Sequence, residues 1–133
     1  MTWLLDTHTF IWSILASDQL GREVKKILSA RQNAISISTI SFWEISLKVR
    51  MNKFNFEGLD IKKLPEIAGR LGYDIITLAP EEAATFCDLP KKDDHKDPFD
   101  RMLIWQAIQR NMILMSKDFS FALYKEDGLK LVW

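Results

Sequence analysis

The chain has 133 residues, 47% of them hydrophobic and 27% charged, the balance of a folded globular protein and not of a disordered segment. Lysine plus arginine and aspartate plus glutamate each total 18, so net charge gives no general attraction to nucleic acid, and any such binding must be local. A single cysteine, Cys87, excludes an internal disulfide framework, and with two histidines it supplies too few ligands for a four-ligand structural zinc site.

Met1 to Leu5 carries no basic segment and Asp6 interrupts the apolar run, so no signal peptide is expected. The longest mostly apolar stretch, Phe10 to Ala16, is far shorter than a membrane span, and the expected setting is the cytoplasm. Trp3-Leu4-Leu5 reads as a short buried strand closed by Asp6. His8 to Leu15 places Phe10, Ile11, Ile14 and Leu15 on one helical face, and a second helix is expected over about Leu20 to Arg31. Ala34 to Ser38 alternates apolar and hydroxyl residues as a strand does. Thr39 or Ser41 then caps a helix reaching about Met51.

Asn52 to Asp60 is a loop, and Ile61 to Leu71 a helix stopped by Gly72. Tyr73 to Leu78 is the third strand, ended by Pro80 and followed by a short helix over Glu81 to Phe86. Asp88 to Pro98 is a polar loop. A long helix over Phe99 to Arg110, a strand at Met112 to Met115, a short helix near Asp118 to Leu123 and a strand at Leu129 to Val132 complete the order. The alternation predicts one domain over 1–133, a three-layer α/β/α fold whose mostly parallel sheet has about five short strands. The five glycines form neither a dinucleotide fingerprint nor a P-loop.

In open parallel sheets functional groups gather at the carboxyl ends of strands. Asp6 ends the first strand, Glu44 lies in the helix leaving the second, and Asp118 follows the fourth. Asp97 and Asp100 open the helix that feeds that fourth strand. Carboxylates brought together repel one another and must bind protons or share a cation. Oxygen-only ligands favour hard ions, so Mg²⁺ or Mn²⁺ is the expected occupant, with phosphoryl chemistry to match.

The same segments resemble the PIN-domain family, and within it the VapC-like toxins of type II toxin–antitoxin pairs. The resemblance is carried by Leu4-Leu5-Asp6-Thr7-His8, Ser41-Phe42-Trp43-Glu44-Ile45, the run from His95 to Ile104, and Ser116-Lys117-Asp118. It spans nearly the whole chain. It implies a Mg²⁺- or Mn²⁺-dependent endoribonuclease, a homodimer, and a small antitoxin that holds it inactive. Asp6, Glu44, Asp100 and Asp118 match the family's four acids, with Asp97 in the same motif. Ser116 stands where the family often has threonine, keeping the hydroxyl.

Each of these residues also has a structural reading. Asp6, Asp97 and Asp118 are good helix caps, and Asp97-Pro98 is a favourable helix start. Glu44 and Lys48 are four apart and suited to an ion pair. Thr7 and Ser116 either hydrogen-bond the acids or act as turn hydroxyls. Arg101 either meets a substrate phosphate or anchors Asp97 or Asp100. His8 and His95 lack ligand spacing, and a metal-activated water needs no histidine base. The run Lys91 to Lys96 reads as a solvated loop in preference to a recognition element, with its lysines kept as candidates for steering a phosphate backbone. Phe42, Trp43, Phe54 and Phe56 are candidates for an apolar groove that takes a partner's amphipathic helix.

Two rival classes fit less well. A receiver domain needs its acceptor acid at the end of the third strand, where Asp74 stands at the start; a haloacid-dehalogenase-type phosphatase needs an acid at position 8, where the chain has His8. A non-catalytic RNA- or protein-binding scaffold predicts the loss of one or more acids, and all four are present.

Overall fold

A computed structural model describes all 133 residues. Its sheet has five strands, all parallel, in the order β3-β2-β1-β4-β5. These are β1 (Thr2–Leu5), β2 (Ala34–Ser38), β3 (Asp74–Ile76), β4 (Ile113–Met115) and β5 (Lys130–Val132). The chain winds outward from β1 through β2 to β3, then returns to the other side of β1 for β4 and β5. Strand order therefore reverses at β1, where Leu5 pairs with Ile37 on one side and Met115 on the other. The connections leave such a switch point toward opposite faces of the sheet, and a crevice opens above its carboxyl end.

Alternation along β1 shows why the sheet is covered on both faces. Leu4 packs with Leu114, Ile104 and Tyr124, whereas Leu5 packs with Ile37, Met115 and Phe10. Both leucines are fully buried, each worth about 1.5–3 kcal/mol relative to exposure. The helices are α1 (Thr7–Leu15), α2 (Arg22–Ser29), α3 (Thr39–Arg50), α4 (Leu64–Arg70), α5 (Pro80–Thr85) and α6 (Pro98–Gln109). Residues of α1 to α4 join the Leu5 core and those of α6 the Leu4 core, giving the expected three layers.

Three local expectations need adjustment. The second helix begins at Arg22, because Ser17–Gln19 forms a separate 3₁₀ turn and Gly21 breaks the run. A Cβ at Gly21 would lie 2.6 Å from the Trp133 carbonyl carbon, so this close approach requires glycine. The third strand shrinks to Asp74–Ile76, an edge strand paired only with Ser36 to Ser38. The segment after Asp118 is a 3₁₀ helix over Phe119–Asp127. At three residues per turn, Phe121 and Tyr124 fall on one side and both enter the core.

A buried polar network crosses the Leu4 side. The Ser38 hydroxyl donates to Gln106 Oε1 at 2.7 Å, and the Gln106 amide donates to Glu82 at 3.3 Å. Arg110 completes the network with 2.6 Å and 2.9 Å hydrogen bonds to the two Glu82 carboxylate oxygens. A glutamate 5% exposed is tolerable only with such partners.

Candidate functional site

Above the carboxyl end of β1 lies a cavity of about 330 Å³ lined by Asp6, Glu44, Asp97, Asp100 and Asp118, with His8, Trp12, Lys48 and Lys117. All five acids singled out in the sequence therefore meet in one place. The ligand oxygens of Glu44, Asp97 and Asp100 lie within 4.8 Å of one another, as do the ligand atoms of His95, Asp100 and Asp118.

The caps foreseen for three of these acids are present, and they aim the side chains. Asp6 ends β1 and accepts a 2.8 Å hydrogen bond from the Thr9 amide, which fixes one oxygen. Asp97 caps α6 by accepting from the amides of Phe99 at 2.8 Å and Asp100 at 3.1 Å. Asp118 accepts from the Ser120 amide at 2.9 Å. Capping uses one carboxylate oxygen and leaves the other free, so structural and functional roles are compatible here. Glu44 is buried in the second turn of α3, where Thr7 donates to its Oε1 and Lys48 pairs with its Oε2.

Electrostatics follow from crowding. Burial, reinforced by the charges of Asp97, Glu44, Asp6 and Asp118, pushes the Asp100 carboxyl up to about 8. Burial also raises Asp6, offset in part by hydrogen bonds from Ser116 and Thr9. Lys48 is the cluster's own counter-charge: burial lowers its pKa, but Glu44, Asp97 and Asp100 outweigh this and the ammonium is held above its usual range. Its Nζ lies 3.8 Å from Asp97.

A search of curated protein sequences finds no match. The sequence model of the PIN domain, however, matches residues 3–127. The chain belongs to the PIN domain family. Solved PIN-like structures agree in fold. A chain of VapBC2 from Rickettsia felis, bound to a promoter DNA fragment, superposes with a TM-score of 0.70 at 18% identity, covering 99% of this chain and 98% of that one. VapBC-1 from nontypeable Haemophilus influenzae gives a TM-score of 0.69 at 17% identity, covering 99% and 97%. FitAcB from Neisseria gonorrhoeae gives 0.64 at 18% identity over the same shares. PIN domains are in general nucleases, so a hydrolytic reading of the cavity has family support.

The donor set of this PIN domain suits a hard divalent cation. It is all carboxylate oxygen apart from His95, and an ammonium already sits among the acids as a partial neutraliser. Thr7 and Ser116 are both buried beside the acids, Thr7 3.0 Å from the Ser41 hydroxyl and Ser116 accepting from the Asp118 amide at 3.1 Å. Arg101 does not anchor either acid: it donates to the carbonyls of Leu89 and Pro90 and to the Tyr124 hydroxyl.

Two parts of the sequence reading are corrected. His95 joins the cluster through three-dimensional proximity, though it lacks ligand spacing along the chain. Its Nε2 lies 3.3 Å from Asp100 and its Nδ1 2.9 Å from the Tyr124 hydroxyl. Burial lowers its pKa, against the pull of Asp118 and Asp97. Of the four aromatic candidates, Phe42, Phe54 and Phe56 pack partly buried against the Leu5 core. Trp43 alone opens on an apolar groove of about 180 Å³, which is lined by Ile40, Leu78, Phe86, Pro98, Phe99 and Met102.

Proposed function

We propose that this chain is a one-domain, divalent-metal-dependent endoribonuclease, the VapC-like toxin of a type II toxin–antitoxin pair, working in the cytoplasm. One observation carries the reading: five carboxylates from four chain segments converge in a cavity at the switch point of the sheet. Asp6, Glu44, Asp100 and Asp118 would hold the cation, Mg²⁺ or Mn²⁺, with Asp97 beside them. When bound, the ion supplies an activated water and neutralises the charge that develops on phosphorus.

The chain's own groups do the rest. Thr9 and Thr7 fix the Asp6 and Glu44 carboxylates before substrate arrives, which lowers the cost of reorganisation. Lys117, held 5.8 Å over the Trp12 ring, lines the cavity and offers a cation to a substrate phosphate. His95 holds Asp100 in place from behind, and Ser116 performs the same service for Asp118 through its amide.

A small antitoxin partner is supported by the VapBC and FitAcB complexes in which similar folds occur. Trp43 and Leu47 on α3 and Met51 just past its end, exposed at spacings of four, provide an apolar stripe for that partner's helix. A homodimer completes the proposal.

The test is cleavage of total bacterial RNA by the purified chain with cut sites mapped. Wild type and Asp6→Asn are compared in Mg²⁺ or Mn²⁺ and in chelator. Discrete cuts that require both the metal and Asp6 are expected. Identical behaviour of the two proteins would move the reading to a non-catalytic scaffold.

A further inference from the structure

Beside the acidic cavity lies a second one, of about 240 Å³, lined by Lys91, Lys92, Asp93, His95, Lys96 and Arg101. The first turn of α6 and His95 connect the two. Asp100 lines the first and Arg101, the next residue of α6, lines the second; their Cα atoms are about 3.8 Å apart. His95 closes the gap between them, hydrogen-bonded to Asp100.

The loop forming this cavity is tied down, not merely solvated. Lys92 pairs with Glu126 at 2.6 Å and Asp127 at 2.9 Å, and the His95 amide donates to the Lys92 carbonyl at 3.0 Å. His95 itself is buried against Phe121 and Tyr124. With Lys92 neutralised, the remaining cations are Lys91, Lys96 and Arg101, none of which forms an ion pair.

Arg101 is the informative one. Its guanidinium is half-buried, 5.2 Å from the Phe86 ring, and all its acceptors are neutral: two carbonyls and a phenol. Nη1 has no partner in the protein. The other half-buried arginine, Arg110, by contrast pairs with Glu82. A partly desolvated guanidinium held rigidly without a counter-ion is costly in isolation and well prepared for an anion with several acceptor oxygens.

We propose that Lys91, Lys96 and Arg101 form a second phosphate site, taking the backbone phosphate next to the one at the acidic cavity on the same RNA strand. The assignment rests on the nuclease reading above. It gives the site a direction: the strand runs from the acids across His95 to the basic cavity, and scission falls at a fixed offset from the gripped phosphate.

The test is fluorescence anisotropy with a short fluorescein-labelled single-stranded RNA of mixed sequence, in Mg²⁺ and in the cleavage-silenced Asp6→Asn background. Lys91→Gln/Lys96→Gln is expected to weaken binding about fivefold at low salt and to reduce the slope of log affinity against log salt by about 0.7, the loss of one phosphate contact. Arg101→Met should do the same. Both lysines are exposed, so the double variant remains informative if Arg101→Met disturbs the loop. Lys25→Gln/Lys26→Gln, on the opposite face of the sheet, makes the same charge change and should leave affinity and slope unaltered. If the two double variants behave alike, the phosphate site is overturned, whereas Asp6-dependent cleavage by wild type would still uphold the nuclease. If the chain neither holds nor cuts RNA, both readings fall together.

Discussion

Replacing Asp100 with asparagine should stabilise the metal-free protein, and the size of the effect can be worked from the site. The Asp100 carboxyl is raised from an ordinary 3.8 to about 8. At pH 7 it is therefore mainly neutral in the folded chain and ionised in the unfolded one. Protonating it on folding costs about 4 kcal/mol at 1.36 kcal/mol per unit. The side chain is 22% exposed, and solvent screening reduces this to about 2 kcal/mol. Asparagine has nearly the same shape and no proton to acquire, so the variant escapes the cost. Below pH 3.8 both states of wild type are protonated and nothing is lost. The penalty grows as pH rises from there and levels off above pH 8. Urea denaturation in chelator from pH 4 to pH 8 should show Asp100→Asn matching wild type at the acid end. Near neutrality it should be more stable by about 2 kcal/mol, or about 8 °C in Tm. Mg²⁺ should then stabilise wild type more than the variant. A variant less stable than wild type at pH 7, or a difference that does not change with pH, would refute the crowding argument.

Asp97→Ala should lose about 1 kcal/mol of stability with its cap, whereas Asp97→Asn should keep the cap; comparing RNA cleavage by the two by gel assay separates capping from cation binding. Burial raises the Glu82 pKa, but Arg110, the Ala79 amide and Gln106 together outweigh it and hold the carboxyl below its ordinary 4.5. Glu82 therefore contributes stability above pH 4.5 that is lost as pH falls through its lowered value. Glu82→Gln should cost about 2 kcal/mol at pH 7 and converge on wild type in strong acid, measured by denaturant titration. Leu114→Ala, at a fully buried position of β4, should cost about 2–5 kcal/mol in the same assay.

Much of the architecture was legible because it depends on local pattern. Leu4-Leu5 followed by Asp6, and Ile35 and Ile37 set between hydroxyls, mark buried parallel strands with polar ends. Those ends are where the acids lie. The Glu44–Lys48 pair was legible for the same reason, since a spacing of four faces the two side chains on a helix. What escaped depends on distant partners. Nothing near His95 in sequence shows that Phe121 and Tyr124 bury it, and nothing near Arg101 shows that Leu89 and Pro90 turn it away from the acids. The brevity of β3 is likewise set by β2, and the start of α2 by the approach of Trp133 to Gly21.

The central position of β1 has a consequence for when activity can arise. Asp6 emerges early in synthesis, yet its strand is flanked by β4, and the Thr9 hydroxyl is satisfied by the Met115 carbonyl 106 positions later. At roughly 5–20 residues per second that interval lasts about 5 to 21 seconds. Throughout it the nascent chain lacks both a wall of its core and the last of its acids. A protein that cuts RNA would thus be harmless to the message and ribosome that make it until synthesis has passed Asp118, leaving time for a partner to be translated and waiting.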